Sequence, residues 1–457
     1  MDSLPDNSLV VSVGGQIKYM SGQIFYKFRQ ASDFWYLTGF EEPDSAVILE
    51  KNSSSKGYRM TLFCAGKDSA KEKWEGARTS FQDAVAHFKA DDAQPVSKFP
   101  SVLKTLAASF SNVYMDAPPN SRRGRGLSHK AIMKYLSFSN SSSRSEFENF
   151  VDSVIPSKRQ SLAPEVAKLR SIKSDPEKTI MRKAADISGR AHAKTMRFTN
   201  PDMSEHNIAS HFEYLCAMQG SQRPAYVPVV ASGANALTIH YTANNQIVHN
   251  GEMILIDAGC EYNGYASDIT RTYPVSGKFS SAQAALYSSV LTVQKKLITM
   301  CTEAANISLS ELHRESCILM RSELNRIGFN LHGATGMGDV ERVLYPHYVG
   351  HPIGIDLHES THFDRNAPIR SGMVITIEPG VYVPAASNFP TAFHDMGIRI
   401  EVCPTFLMFS ITNAKVVASQ DEVLVGKDHP TILSVNAPKE IADVEGACQG
   451  LLDLSPF

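Results

Sequence analysis

Five charged or ionisable side chains, each inside or at the end of a short apolar run, constrain the fold of this 457-residue chain most strongly. They are Asp257, Asp268, His351, Glu378 and Glu401. A charged side chain is tolerated in such a run only if it is paired or bound to a metal, because burying an isolated charge is costly. We therefore expect these runs to form β-type segments that converge on one charged centre. The runs are residues 253–259, 265–273, 347–359, 373–380 and 396–401.

The chemistry of these five side chains indicates a dinuclear metal centre. Four carboxylates carry four negative charges, which two divalent cations would neutralise. One imidazole among oxygen ligands favours Mn, Co, Fe or Zn over Ca, and a set without cysteine disfavours a structural zinc site. Two divalent ions held in this way clamp and activate a water molecule.

A hairpin is expected to bring the first two carboxylates together. Asn263-Gly264 is typical of a two-residue turn between apolar strands. If these residues form the turn, Asp268 lies opposite Gly259 and is a diagonal neighbour of Asp257. Diagonal pairs lie roughly 7–8 Å apart, so both carboxylates can reach one ion.

Alternation along two later runs orients the remaining carboxylates. Side chains two residues apart on a strand point to the same face. Glu378 therefore shares a face with Thr376, and Glu401 shares a face with Arg399. We expect Arg399 to orient its neighbours in the active site rather than to react.

Several motifs resemble those of the pita-bread metallopeptidase family, which includes aminopeptidase P, prolidase and methionine aminopeptidase. They are DAGCEYNGYASDITRTYPVSGKFS, HYVGHPIGIDLHE, TIEPGVYV and MGIRIE. The segment FYKFRQASDFWYLTGFEEPDS at 25–45 is similar to the N-terminal domain of aminopeptidase P and of the related mitochondrial intermediate-cleaving peptidase. The resemblance covers most of the chain. It implies an α/β (α+β) fold with an N-terminal aminopeptidase-P-like domain at 1–165 and a pita-bread catalytic domain at 166–457.

The resemblance also implies a role for each metal ligand. Asp257 would ligate one metal ion, Asp268 and Glu401 would bridge both ions, and His351 and Glu378 would hold the second.

Further residues match family positions that face the substrate. His240 and His358 match substrate-facing histidines, and His347 matches another active-site histidine. Trp74, in KEKWEGAR, is similar to a tryptophan that reaches the active site of a neighbouring subunit. This implies a homodimer or a higher homo-oligomer.

Together with these residues, the resemblance implies a metalloaminopeptidase that acts on peptide or protein N-termini. A water between two divalent ions, with Mn preferred, would lose a proton near neutral pH and attack the scissile carbonyl. Glu378 would carry the proton to the leaving amine, while His240 and His358 would donate hydrogen bonds to the carbonyl oxygen. An Xaa-Pro aminopeptidase is the first interpretation. The alternatives are a mitochondrial-type peptidase that removes one bulky residue, a prolidase, and a metal-free peptide-binding module.

The segment His358-Glu359-Ser360-Thr361-His362 is a literal H-E-x-x-H, the signature of a zincin. That signature requires a helix to place both histidines on one face. Pro352 and Gly354 lie just upstream and Pro368 lies downstream, so we expect no helix here, which disfavours the zincin interpretation.

Composition excludes several other classes of function. The chain has 45 Lys+Arg against 47 Asp+Glu, so nothing indicates a nucleic-acid or anionic-membrane partner. No apolar run approaches the roughly 20 residues of a membrane span. Seven cysteines without C-x-x-C spacing indicate free thiols in a reducing compartment. No targeting segment is visible, so we expect a cytoplasmic or mitochondrial protein, the latter if the N-terminus is truncated.

Secondary-structure signals support two domains. A helix at 174–198 is expected to open the second domain, with Asp175 as its cap and Pro176 in its first turn. Further helices are expected at 204–218, 280–304 and 308–327. In the first domain we expect strands at 8–15, 45–51, 59–66 and 112–117, helices at 101–110 and 129–138, and a polar loop at 139–146.

The segment 402–420 interrupts the family pattern directly after Glu401. Removing these 19 residues gives GIRIEDEVLVG, which restores the pattern. Its 19 codons would span 57 nucleotides in frame, and a leading valine codon and a closing glutamine codon match the ends of an intron. Our hypothesis is a retained intron, and the alternative is a genuine insertion.

Overall fold

The structure is a computed structural model and describes residues 1–115, 158–401, 423–433 and 436–452. The chain divides into two compact units, Met1–Val166 and Ala167–Phe457. The predicted domain boundary lies one residue before this division. The predicted helix at 129–138, the loop at 139–146 and the segment 402–420 lie outside the described residues.

A six-stranded mixed sheet with helices forms the first unit, in the strand order β6-β5-β4-β1-β7-β8. Successive residues of β1 point to opposite faces, so Leu9 and Val11 pack in one core and Val10 packs in the other. Both faces of the sheet are thus covered by apolar side chains. The strands are β1 (Ser8–Val13), β2 (Tyr19–Ser21), β3 (Ile24–Phe25), β4 (Ala46–Lys51), β5 (Tyr58–Cys64), β6 (Asp92–Pro95), β7 (Asn112–Tyr114) and β8 (Arg159–Gln160). The helices are α1 (Ser32–Thr38), α2 (Ser69–Glu75), α3 (Phe81–Phe88), α4 (Phe99–Ser109) and α5 (Ala163–Ser171), whose last residues belong to the second unit.

Short antiparallel sheets enclosed by long helices form the second unit, around one large apolar core. The helices are α6 (Asp175–Phe198), α7 (Glu205–Met218), α8 (Ser281–Thr299), α9 (Leu309–Arg326), α10 (Gly333–Asp339) and α11 (Ile441–Cys448). The strands are β9 (Arg223–Pro224), β10 (Val229–Ser232), β11 (Met253–Asp257), β12 (Cys260–Tyr262), β13 (Tyr265–Ala266), β14 (Thr270–Pro274), β15 (Val374–Ile375), β16 (Gly380–Val383), β17 (Met396–Arg399), β18 (Val423–Leu424) and β19 (Thr431–Ile432). None of the helices in these ranges combines the length and apolarity of a membrane span.

The predicted hairpin and its register are confirmed. Tyr262 pairs with Tyr265 across the turn, and both turn residues, Asn263 and Gly264, have positive φ. The same register continues into the longer pair of strands, where Asp257 lies opposite Thr270. The turn thus fixes which residues of the two strands face each other over their whole length.

The cap predicted for the first helix of the second unit is wrong by one residue. Ser174, not Asp175, is the N-cap, and the Glu177 carboxylate accepts a 2.7 Å hydrogen bond from its backbone N–H. Asp175 occupies the first turn, where a negative charge is favourable at a helix N-terminus. Pro176 lies in the first turn as predicted.

The predicted β-type run at 347–359 forms no strand, only an isolated bridge at Pro352. Its first half nevertheless lies extended beside residues 374–378. The N–H groups of Thr376 and Glu378 donate to the carbonyls of His351 and Val349, at 2.8 Å each. Proline has no N–H to donate, which limits the ladder at this point.

Candidate metal centre

Two carboxylates of the hairpin converge on one tyrosine. The Tyr226 hydroxyl lies 2.5 Å from Asp257 Oδ1 and 2.6 Å from Asp268 Oδ1. A single hydroxyl proton serves both oxygens, so this contact ties the two carboxylates together. Gly259 makes the approach of the strands feasible, because a Cβ atom there would lie 1.9 Å from the Ser267 carbonyl oxygen.

His351 and Glu378 reach the same place from two adjacent chain segments. His351 Nε2 lies 3.3 Å from Asp268 Oδ2 and 3.6 Å from Glu378 Oε1. The other ring nitrogen, Nδ1, lies 3.1 Å from the Pro352 carbonyl and donates to it. A metal-ligating histidine usually has this arrangement, with one nitrogen held by a carbonyl and the other facing the ion.

Glu401 enters the group from the end of β17. Its N–H donates to the Thr270 carbonyl at 3.2 Å, and its Oε2 accepts from the Thr270 hydroxyl at 2.8 Å. Its second oxygen, Oε1, is buried without a hydrogen-bond partner among the described residues. An orphaned buried carboxylate oxygen is costly, and here it indicates a place for a cation.

The donor atoms are close enough to share an ion. One ligand atom each from Asp268, His351 and Glu401 lie within 4.8 Å of one another, and all three side chains are buried. Glu378 contacts His351, and Asp257 joins Asp268 through Tyr226. The structure thus brings all five predicted ligands into one cluster.

Burial and mutual repulsion disturb the pKa values of these acids. Burial raises the pKa of Glu378 to about 7, with the charge of Asp268 adding to the effect. Burial and the neighbouring carboxylates also raise the pKa of Glu401 well above its usual range. Burial raises the pKa of Asp257 as well, more than the Arg399 charge lowers it. In Asp268, burial is outweighed by the His351 contact, which leaves the pKa below its usual value.

These observations fit divalent metal ions. The carboxylates repel one another in a buried site, and the crowding is relieved only by protons or by cations. A set of hard oxygen donors with one imidazole is what Mn, Co, Fe or Zn bind.

Arg399 extends the cluster into a chain of hydrogen bonds. It is buried and pairs with the Asp257 carboxylate, and its Nη1 donates to the Tyr382 hydroxyl at 2.9 Å. Tyr382 lies 3.0 Å from His347 Nε2, and His347 Nδ1 lies 2.8 Å from the Tyr348 carbonyl. The network therefore assigns Nδ1–H donating and Nε2 accepting. Burial lowers the pKa of His347 to about 3, with the Arg399 charge contributing, so the ring is neutral.

The two predicted substrate-facing histidines lie at the exposed side of the cluster. The His358 ring centroid is 4.1 Å from that of His351, and His358 is exposed. Burial of part of the ring and the His351 charge lower the pKa of His358 to about 4. His240 is also exposed and is close enough to act electrostatically on Asp257. Trp74 lies on α2 of the first unit, 90% exposed.

The H-E-x-x-H segment has a different function from the one its pattern suggests. Residues 358–362 form no helix, as expected. The Glu359 carboxylate is buried and pairs with Arg170 Nη2 at 2.9 Å and with Lys173 Nζ at 3.2 Å. Glu359 is thus a structural ion-pair partner and not an exposed catalytic base.

Tyr226 and Thr270 contact the cluster but are not among the residues predicted from the sequence. No motif marks Tyr226, which comes close to the hairpin because the Ala225 N–H donates to the Gly259 carbonyl at 2.9 Å. Thr270 could have been found, because it lies two residues after Asp268 and shares its strand face.

Comparisons with known proteins agree with this geometry. Residues 179–405 match metallopeptidase family M24, and residues 1–114 match the aminopeptidase P N-terminal domain. The chain is 36% identical to intermediate cleaving peptidase 55 of Saccharomyces cerevisiae, over 98% of this chain and 82% of that protein. The chain belongs to metallopeptidase family M24.

Two further comparisons each cover nearly the whole of this chain. Xaa-Pro aminopeptidase 3 of Rattus norvegicus is 34% identical over 96% of this chain and 80% of that protein. The crystal structure of the Saccharomyces cerevisiae peptidase, lacking 58 N-terminal residues, has a TM-score of 0.82 and 34% identity, and covers 99% of this chain and 95% of that one. The predicted family, the α/β fold with its N-terminal and pita-bread domains, and the metalloaminopeptidase activity are confirmed. Family membership also implies divalent metal ions.

Proposed function

We propose that this metalloaminopeptidase releases the first residue of peptides whose second residue is proline. The observation that supports metal-dependent hydrolysis is the buried cluster of Asp268, His351 and Glu401, in which one Glu401 oxygen has no hydrogen-bond partner among the described residues. The preference for proline rests on the 34% identity to Xaa-Pro aminopeptidase 3 over 96% of the chain. A water-activating centre at this position would explain why four carboxylates, two of them buried and two half-buried, have been assembled in one unit.

Two divalent ions per chain, preferably Mn, would be held by the five clustered residues. They are Asp257, Asp268, His351, Glu378 and Glu401. When bound, such ions supply a nucleophilic water near neutral pH and neutralise charge that develops on the substrate carbonyl. The single imidazole and the oxygen-rich set support Mn over Ca.

Glu378 is our candidate for the proton carrier. In the metal-free site burial raises its pKa to about 7, and this tendency to hold a proton favours Glu378 as the group that takes a proton from the nucleophilic water. The Thr376 hydroxyl donates to Glu378 Oε1 at 3.1 Å and holds the orientation of the carboxylate. Glu378 would then pass this proton to the leaving amine.

His240 and His358 are proposed to stabilise the scissile carbonyl. Both are exposed, and the His358 ring lies 4.1 Å from that of His351, so both could contact a bound peptide. His358 is neutral because of its lowered pKa, so it donates through the N–H of a neutral imidazole. Hydrogen bonds that strengthen as charge develops on the carbonyl oxygen lower the barrier selectively.

Arg399 and His347 are proposed to position rather than to react. Arg399 fixes the Asp257 carboxylate, and its contact with Tyr382 carries the same network to His347. His347 would face the substrate from this network. We assign Trp74 to the same substrate site, contributed by a second copy of the chain in a homodimer or higher homo-oligomer. Its 90% exposure supports that proposal.

Removal of one bulky residue from a processed protein is the second candidate. It is favoured by the 36% identity to intermediate cleaving peptidase 55 over 98% of the chain. The cytoplasm and the mitochondrion stay the two predicted compartments, and fractionation of cells would decide between them.

A peptide panel tests the proposed function. The purified enzyme is assayed with Xaa-Pro-Pro peptides, with Tyr- or Leu-initiated peptides lacking proline, and with Xaa-Pro dipeptides, each with an acetylated control. We expect single-residue release from the first set and no cleavage of acetylated peptides. Preference for the second set would favour the bulky-residue activity, and exclusive cleavage of dipeptides would favour a prolidase. Cleavage of acetylated peptides would contradict aminopeptidase action.

A further inference from the structure

Glu205 is a buried acid that none of the roles above uses. It is the first residue of α7 and has no exposed surface. A buried carboxylate is retained only where its oxygens are satisfied, so its partners show what it holds.

Both oxygens of Glu205 bind one stretch of chain. Oε1 accepts from the N–H and the hydroxyl of Ser232, at 2.8 Å each, and from Asn235 Nδ2 at 3.0 Å. Oε2 accepts from the Tyr241 hydroxyl at 2.9 Å and from the Gln246 N–H at 3.0 Å. All four partners lie between 232 and 246, that is, at the last residue of β10 and in the segment that joins β10 to β11.

This segment carries His240. Tyr241 is the next residue, so its hydroxyl bond to Glu205 restrains the backbone directly beside the imidazole. A second anchor lies on the other side, where the Ala236 carbonyl oxygen is so close to Gly397 that a Cβ atom there would be 2.4 Å away. The loop is therefore held at its start, in its middle and at its end, while His240 itself is exposed.

The charge of Glu205 matches its surroundings. Burial alone raises the pKa of this carboxyl, but the hydrogen bonds from Ser232, Asn235 and Gln246 outweigh burial and leave the pKa below its usual value. Every one of its contacts is a donor, so only an ionised carboxylate satisfies them all. A glutamine would turn an N–H₂ group towards one set of donors.

We propose that Glu205 is a positioning residue that holds the loop 232–246 so that His240 faces the scissile carbonyl. The inference rests on the proposed role of His240 in the aminopeptidase reaction. In this role Glu205 acts only through the loop, by fixing the position of His240, and makes no contact with the substrate itself.

A double-mutant cycle separates positioning from a general structural role. The variants are Glu205→Gln, His240→Ala and the double variant, with Glu213→Gln as the control on the exposed face of the same helix. Steady-state kinetics are measured on the metal-loaded enzyme with the best substrate of the peptide panel, after thermal unfolding shows each variant to be folded. We expect His240→Ala to lower kcat by roughly a hundredfold and Glu205→Gln by roughly tenfold or more, with KM changed little.

The coupling between the two sites decides the outcome. If Glu205 acts through His240, the double variant is only as slow as His240→Ala, within about twofold, and Glu213→Gln is normal. Additive losses, or a fully active Glu205→Gln, would overturn the inference. If Glu205→Gln does not fold, Tyr241→Phe replaces it: a loss of roughly threefold that vanishes in the His240→Ala background supports the inference, and an additive or absent loss rejects it. A wild-type enzyme that releases no residue would refute the proposed function, and an unimpaired His240→Ala would refute the role of His240.

Discussion

Replacing Glu359 by glutamine is predicted to destabilise the catalytic unit. The carboxylate accepts hydrogen bonds from Arg170 at 2.9 and 3.3 Å and from Lys173 at 3.2 Å. The Lys173 side chain has no exposed surface, and burial lowers its pKa. Glutamine keeps the shape of the side chain but removes the charge that compensates this buried cation.

The magnitude follows from the environment of the pair. Breaking a buried ion pair by removing one partner costs about 3–5 kcal/mol. We expect about 3 kcal/mol here, because the glutamine oxygen still accepts a hydrogen bond and Arg170 keeps its 2.7 Å contact with Asp356. At about 2 °C per kcal/mol for a unit of this size, the melting temperature should fall by about 6 °C.

Thermal unfolding of three variants tests this reasoning. Adding Lys173→Met to Glu359→Gln should recover at least half of the loss, because the uncompensated cation is gone. His362→Ala is the control: His362 is exposed, so both stability and activity should stay near normal. An unchanged melting temperature in Glu359→Gln with abolished turnover, or an inactive His362→Ala, would refute the structural role and revive the zincin interpretation.

Three further predictions concern metal removal, assembly and the segment after Glu401. In protein from which metal has been removed by a chelator, the pKa of Glu378 is about 7 in the folded state and 4.5 in the unfolded state. Between these two pH values the folded state therefore binds more protons than the unfolded state. Stability of the chelated protein should therefore fall by about 3 kcal/mol as pH rises from about 4.5 to about 7, and thermal unfolding at about pH 5 and about pH 8 should show this drop without metal but not with it. Trp74→Ala should lower turnover without unfolding the first unit if a second copy supplies this side chain; a monomer by light scattering with a fully active variant would contradict that. Protein lacking 402–420 should be more active and aggregate less, and transcripts should mostly lack the 57 nucleotides; a dominant, fully active long form would refute the retained intron.

The fold could be predicted wherever the signals were local. The Asn263-Gly264 turn determined the register of the strands as far as Asp257 and Thr270. A two-residue turn, together with the alternation of side chains between the two faces, allows only one pairing of the strands. The helix cap was ambiguous, because Ser174 and Asp175 are adjacent and both cap well. Only the position of Glu177, three residues after Ser174, distinguishes them, as it forms a capping box.

The run at 347–359 shows where sequence reasoning fails. Its apolar content is typical of a strand, but Pro352 cannot donate to a ladder. The chain also packs tightly there, since a Cβ atom at Gly350 would lie 1.9 Å from the Thr376 carbonyl oxygen. This contact is set by tertiary packing and leaves no periodic signal in the sequence.

The candidate site likewise contains residues that could be predicted from the sequence and residues that could not. Its five candidate ligands could be predicted because each is a charged or ionisable side chain inside or at the end of an apolar run. Tyr226 and Glu205 could not be predicted. Asp257, which Tyr226 contacts, lies 31 residues further along the chain, and Ser232, which Glu205 contacts, lies 27 residues further along. No spacing rule links residues so far apart. Residues that support the candidate site through contacts between distant parts of the chain can therefore be identified only from the three-dimensional structure.

The metal content of the purified enzyme tests the central claim most directly. Elemental analysis of wild-type protein and of Asp268→Ala, each dialysed against Mn and assayed for N-terminal residue release, measures stoichiometry and activity together. We expect two divalent ions per chain in the wild type, and loss of both metal and activity in a folded Asp268→Ala, because its carboxylate lies between His351 and the Tyr226 contact. A wild-type enzyme that is active without bound metal, or an Asp268→Ala variant that keeps full activity, would contradict the account.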